Sequence, residues 1–212
     1  MVVNSQFTKK VVDKEYGIKS IVLYPPVSSI GMSGVKEKTI LSVGRFEPSL
    51  NTKHQDILID AFRELSPIIP GWKLVLAGGS SSDEWLEKLK QKAAGLRVEF
   101  ATNVSHTGLS DLYQKATIYW HAAGYVVDEV KNPELTEHFG ISTVEAISAG
   151  CTPLVVPYGG QREIITDSNF HWTTIPELVD KTQKVIVSNP CFSLDISKYT
   201  VDTFASELKK LL

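Results

Sequence analysis

The sequence predicts an α/β fold, a parallel sheet with helices on both faces, and three observations carry that expectation. Apolar runs of strand length alternate with amphipathic stretches of helix length along the chain, the pattern of repeated strand–helix units. Several of the runs are apolar at nearly every position, as strands buried on both faces require. Helix-stop glycines and polar turns separate the two kinds of segment where strand–helix units need them.

Taken in order, "SIVLY" (20–24), "TILSVG" (39–44), "WKLVLAGG" (72–79), "LRVEFA" (96–101), "ATIYWHA" (116–122) and "TPLVVP" (152–157) read as six strands of one sheet. Between them, "HQDILIDAFRELS" places Ile57, Ile59, Ala61, Phe62 and Leu65 near helical spacing, and "DEWLEKLKQKAAG" is a helix that stops at Gly95. "SDLYQKA" reads as a short helix capped by Ser110, "ISTVEAISAG" as a helix entered through Gly140, and "QREII" as a short one. In the last segment, "SKYTVDTFASELKKLL", Val201, Phe204, Leu208 and Leu211 or Leu212 form one apolar stripe. No internal repeat, low-complexity tract or linker interrupts the pattern.

Composition narrows the function. A formal net charge of −2 over 212 residues offers no bulk attraction to nucleic acid or anionic lipid, so phosphate recognition must rest on a few placed cations. Two cysteines, Cys151 and Cys191, make no disulfide framework, and the five histidines show no zinc-ligand spacing. A reducing, cytoplasmic setting is the expectation, with no metal site and no cofactor. No apolar run approaches the ~20 residues of a membrane span, and "MVVNSQFTKK" is too polar for a signal peptide. The dinucleotide fingerprint, the P-loop and the nucleophile elbow are all missing, which excludes the dehydrogenase, P-loop and serine-hydrolase readings.

Ligands of an open α/β sheet sit beyond the carboxyl ends of its strands, so the candidates lie in those loops. After "TILSVG", Arg45 and Lys53 put two cations at one strand end, a diphosphate clamp if they converge and two solvated loop charges if they do not. Glu137 and Glu145 flank Gly140, where a loop turns into a helix whose first amides attract an anion. A carboxylate is a good acceptor for a vicinal diol, so the two glutamates suit the two sugars of a nucleotide sugar, with phosphate on the amides between them. The alternative is a loop charge and a solvated helix charge. Gly159 and Gly160 would let the backbone approach a ligand.

The combination of "GRFEP…K", the E-x7-E element "EHFGISTVE", "GCTPLVVPYGGQREII" and the flanking "NSQFTKK", "LYPPV" and "SKYTVDTFASELKKLL" resembles the retaining glycosyltransferases of GT-B architecture, family 4, in their C-terminal, donor-binding half. The resemblance implies a Rossmann-like domain spanning 1–212. It implies that Arg45 and Lys53 bind the donor diphosphate and, with Glu137, carry the catalysis. It further implies that Gly44 and the amides of Phe139, Gly140 and Ile141 line the donor, that Glu145 takes the ribose, and that loops around Gly78 and Val104 line the base. The donor would be a nucleoside diphosphate sugar, used without a metal. The acceptor would be a glycan, a lipid-linked sugar or a small molecule, held by an N-terminal domain that this chain lacks. Lys53 stands about three residues farther from Arg45 than in the common form of the motif, with "PSL" (48–50) inserted. A non-catalytic nucleotide-binding or regulatory module on the same fold is the alternative.

Overall fold

A computed structural model of the protein describes residues 1–47, 53–80, 83–188, 190 and 192–212. The inserted "PSL" and Cys191 therefore lie outside the described residues.

The main sheet has five strands, β3 (Glu37–Val43), β4 (Lys73–Gly78), β5 (Val98–Thr102), β6 (Ala116–His121) and β7 (Thr152–Val155), in the order β5-β4-β3-β6-β7. Every neighbouring pair is parallel. Alternate residues face opposite layers: Ile40, Leu74, Leu76, Ile118 and Trp120 join one core cluster, while Leu41, Val75, Ala77 and Tyr119 join another. The first layer is closed by α2 (Gln55–Leu65), α3 (Asp83–Lys92) and α7 (Ile175–Ser188), through residues such as Phe62, Leu89 and Leu178. The second is closed by α4 (His106–Lys115) and α5 (Ile141–Ser148), which contribute Tyr113 and Ala146. The mixed polar and apolar faces of these helices thus meet the sheet as amphipathic helices must.

Chain order sets the site. From β3 the chain moves outward through β4 to β5, then returns to place β6 on the other side of β3. The C-terminal ends of β3 and β6 consequently flank the point where the winding reverses, the crevice in which open α/β sheets bind ligands.

Three expectations are corrected. The run at 20–24 is not a sixth strand of this sheet: β2 (Ile21–Val22) pairs in parallel only with β1 (Val2–Val3), in a separate two-stranded sheet linked by α1 (Gln6–Tyr16). This unit is tied to the rest by Glu163 of α6 (Gln161–Ile164), whose carboxylate accepts from the Gln6 and Phe7 amides at 3.0 and 2.7 Å and from the Tyr24 hydroxyl at 3.0 Å. The cap of α4 is Ser105, not Ser110, because the helix starts one turn earlier and Ser105 Oγ accepts from Gly108 N at 3.1 Å. The stripe on α8 (Val201–Lys209) is also less buried than its pattern implies: no residue of that helix is fully buried, and Val201 is exposed.

Candidate functional site

The β3 end is shaped by close backbone approaches. Gly44 N donates to Ala77 O at 2.9 Å and Phe46 N to Gly79 O at 2.8 Å, so β3–β4 pairing continues past the strand ends. A Cβ on Gly78 would lie 2.1 Å from Gly44 O, which explains glycine there by packing of the two strand ends. A Cβ on Gly44 would lie 2.8 Å from Lys53 Cγ. The lysine stem thus crosses the bare strand end, and only glycine leaves room for it. The turn is pinned from below by buried Gln55, whose Nε2 donates to Arg45 O at 3.0 Å.

Lys53 Nζ reaches Glu137 Oε2 at 2.7 Å, and His121 Nε2, at the end of β6, reaches the same oxygen at 3.0 Å. Two residues eighty-four apart in sequence therefore meet across the crevice between β3 and β6. Burial would raise the Glu137 pKa, but the His121 hydrogen bond and the Lys53 charge outweigh it and hold the carboxyl well below its ordinary range. Burial lowers the His121 pKa, against the pull of Glu137. Arg45, two residues past the end of β3, has an exposed side chain, and among the described residues no hydrogen bond or ion pair joins it to this cluster.

The segment carrying Glu137 is held by the glycine turn after β7. Gly160 N donates to Glu137 O at 2.7 Å; a Cβ on Gly159 would lie 2.1 Å from Glu137 O, and one on Gly160 would lie 2.4 Å from His138 O. The close approach expected there toward a ligand is made instead toward the backbone that presents Glu137. Gly140 begins α5 at φ +115°, and a Cβ there would lie 2.8 Å from Gln161 Nε2, so backbone and packing both require glycine. Thr143 and Val144 N–H turn back to Gly140 O, whereas among the described residues the amides of Phe139, Gly140, Ile141 and Ser142 have no protein partner. The Phe139 ring is buried against Tyr24 and Tyr199, so its free polar group is its amide, and Ile141 is exposed.

Glu145, one turn into α5, is not a solvated helix charge. Its Oε2 accepts from the buried Tyr113 hydroxyl of α4 at 2.9 Å, and burial raises its pKa against that bond. Tyr119 of β6 lies near both carboxylates, its hydroxyl donating to Ser142 Oγ at 2.8 Å and its pKa raised by burial and by Glu137 and Glu145. Gly44, Lys53, Glu137, Gly140, Ile141 and Glu145 are thus gathered around the crevice, with Phe139 supplying backbone. Val104 is exposed after β5, which is the edge strand of the sheet. Sequence reasoning missed His121, Gln55, Tyr113 and Tyr119. A groove of about 570 Å³ lies elsewhere, between α1 and α6, lined by Phe7, Lys10, Val11, Val130 and Arg162 among others, and includes none of the three clustered side chains. Among the described residues no group of three or more His, Cys, Asp or Glu is arranged to hold a metal, and no helix is long and apolar enough to cross a membrane.

The profile of the glycosyl transferases group 1 family matches residues 31–189, three quarters of the chain and the whole of the main sheet. The chain belongs to this family. Among characterised relatives, it is 26% identical over 201 residues to a GDP-Man:Man(3)GlcNAc(2)-PP-Dol alpha-1,2-mannosyltransferase of Dictyostelium discoideum, covering 82% of this chain and 36% of the relative. It is 28% identical over 223 residues to the mannosyltransferase of the same name from Caenorhabditis elegans, covering 93% and 45%. A mannosylfructose-phosphate synthase of Agrobacterium fabrum is 30% identical over 136 residues, covering 60% and 27%. The glycosyltransferase chain thus spans less than half the length of these curated relatives. In fold it matches the sucrose-phosphate synthase of Thermosynechococcus elongatus, with TM-score 0.73 and 20% identity over 99% of this chain and 56% of that one. It also matches S. aureus TarM, solved in complex with UDP, at TM-score 0.75 and 15% identity over 99% and 43%.

Proposed function

We propose that the chain is the donor-binding part of a retaining, metal-independent hexosyltransferase of the cytoplasm, which takes a nucleoside diphosphate sugar and delivers its hexosyl group to an acceptor hydroxyl. One observation carries the reading: at the winding reversal of the sheet, Lys53 and Glu137 converge beside the open N-terminus of α5.

The difficult step in such a transfer is departure of the diphosphate, whose oxygens gain charge as the bond to the anomeric carbon breaks. Fixed positive groups at those oxygens stabilise the transition state more than the ground state. Lys53, Arg45 and the unpaired amides from Phe139 to Ser142 are the groups this chain offers. Two donors hold Glu137 Oε2, which leaves Oε1 to accept from a hydroxyl of the transferred sugar. Tyr113 holds Glu145 Oε2, leaving Oε1 for the ribose diol. Both carboxylates are oriented from behind, the arrangement that positions a substrate with little loss of side-chain freedom on binding.

No cofactor enters the proposal. The acceptor, a glycan, lipid-linked sugar or small molecule, is assigned to a second domain across the crevice. Two relatives whose names specify GDP-mannose as donor favour GDP as the first nucleotide to test. Calorimetry with GDP, UDP and ADP, each with and without its sugar and against the monophosphate, tests the reading. A diphosphate should bind more tightly than its monophosphate, by about tenfold or more for one additional charged hydrogen bond, and salt should weaken it. Failure of all three to bind, or equal affinity for mono- and diphosphate, would overturn it.

A further inference from the structure

His121 is buried to 2% exposure at the end of β6, and its two ring nitrogens have different surroundings. Nε2 lies 3.0 Å from Glu137 Oε2, while Nδ1 is buried with no partner among the described residues. A carboxylate oxygen can only accept, so Nε2 must carry the proton that joins them. An imidazolium would bury a second N–H with nothing to receive it, at the full cost of an unsatisfied charged donor. The orphaned Nδ1 therefore selects one form of the ring, neutral with the proton on Nε2. The charged and titratable groups facing it are Glu137 on the loop after β6, Lys53 ahead of α2, and Tyr119 with ring centres 6.4 Å apart.

Lys53 and His121 donate to the same oxygen, yet only one of them can leave. Lys53 is a flexible, partly exposed side chain that a diphosphate can attract, whereas His121 is fixed in a strand and has no other hydrogen-bond partner among the described residues. We propose that His121 is the positioning residue for Glu137: its Nε2–H keeps the carboxylate aimed at the transferred sugar after Lys53 has exchanged Glu137 for the donor's phosphate. The proposal rests on the reading of Glu137 as the sugar ligand. It adds that the loss of the Lys53 contact on donor binding leaves Glu137 held, and that this hold comes from β6.

The test compares GDP with GDP-mannose, and UDP with UDP-glucose, by calorimetry on the wild type and on His121→Phe, His121→Gln, Glu137→Gln and Lys53→Met. His121→Phe should weaken the sugar-bearing ligand by about tenfold, the equivalent of one hydrogen bond to a charged group, with little change for the bare diphosphate. His121→Gln, which retains an N–H donor, should recover most of the loss. Lys53→Met should weaken both ligands of a pair. A purely structural histidine would instead lower both affinities together with the melting temperature. If Glu137→Gln fails to discriminate within either pair, the reading of Glu137 is wrong; if it discriminates and a folded His121→Phe does not, the positioning role alone is wrong. Nitrogen-15 NMR of the imidazole decides independently of ligand and of variant folding. The proton should reside on Nε2 at neutral pH, and a proton on Nδ1, or on both nitrogens, would overturn the proposal.

Discussion

Glu145→Gln should separate function from stability. In the protein, Tyr113 donates to Glu145 Oε2 at 2.9 Å, and a glutamine oxygen can accept the same bond. The exchange weakens it from a hydrogen bond to a charged group, about 1.5–3 kcal/mol, to a neutral one of about 0.5–1.5 kcal/mol. That is a loss of about 1 kcal/mol. Against it stands relief from burying the carboxylate, and the raised pKa of Glu145 shows that burial outweighs the Tyr113 bond. The variant should therefore be as stable as the wild type at neutral pH, or slightly more so. The sign with pH follows from the raised folded pKa. Well below the unfolded value the carboxyl is protonated in both states and imposes no charge penalty; as pH rises through the folded pKa the wild type acquires that penalty and the variant does not. Urea unfolding at pH 4 and pH 7 should thus favour the variant more at pH 7. Nucleotide affinity should move the other way, falling about 10- to 100-fold as the charged acceptor for the ribose is lost. A variant less stable than wild type at pH 7 but equal at pH 4 would refute the reasoning, because it would mean that the charge itself stabilises the fold.

Lys36→Met should cost about 2–4 kcal/mol in urea unfolding with an unchanged slope, since Lys36 Nζ donates to Ala116 O at 2.8 Å, Ala149 O at 2.6 Å and Tyr113 O at 3.3 Å, and of these three carbonyls only Ala116 O and Tyr113 O are also within reach of a weak donor, Cys151 Sγ; a loss under about 1 kcal/mol would show that desolvation of the ammonium cancels its bonds. Gly159→Ala, at φ +64° and 2.1 Å from Glu137 O, should displace the Glu137 segment and weaken donor-sugar binding more than diphosphate binding, which the GDP and GDP-mannose pair would measure. Arg45→Ala should cost about 1.5–3 kcal/mol of diphosphate affinity with unfolding stability unchanged, because its side chain is exposed, and an unchanged affinity would remove Arg45 from the phosphate site.

The fold was largely legible because buried parallel strands announce themselves as apolar runs. The sheet order was not, since apolarity says nothing about which strand lies beside which, and the reversal at β3 and β6 emerges only from pairing. The run at 20–24 misled for the same reason: its residues suit a strand, but their partner is the two-residue β1, too short to see in sequence. Signals for α1 and α7 were present and unread. Ser5 caps the first and Gly17 closes it at φ +62°; Leu178, Val179, Thr182 and Val185 recur on one face of the second. At the site, the glutamates and cations were singled out through loop position and motif, and of these the fold pairs Lys53 with Glu137. His121 was hidden because it is the last residue of a strand whose other members are core but for Thr117, and its chemistry depends on a carboxylate sixteen residues away. The glycines at 159 and 160 were seen as turn residues, while what they approach is a backbone that only the fold brings near.

On the proposed reading, the pairing of Lys53 with Glu137 constrains how a donor binds. The ion pair is only partly exposed, so each charge is shielded from water and satisfied by the other. A phosphate that claims Lys53 removes one of two donors from Glu137 Oε2, and a carboxylate left in that setting without compensation would be expensive. Bare diphosphate offers Glu137 nothing in return, so on this reading Lys53 shares its three N–H donors between diphosphate and Glu137 and the pair persists. A diphosphate sugar does, because a sugar hydroxyl can donate to the carboxylate as the phosphate draws Lys53 away. On the proposed reading, the same three side chains would therefore favour the complete donor over its leaving group by exchange of partners.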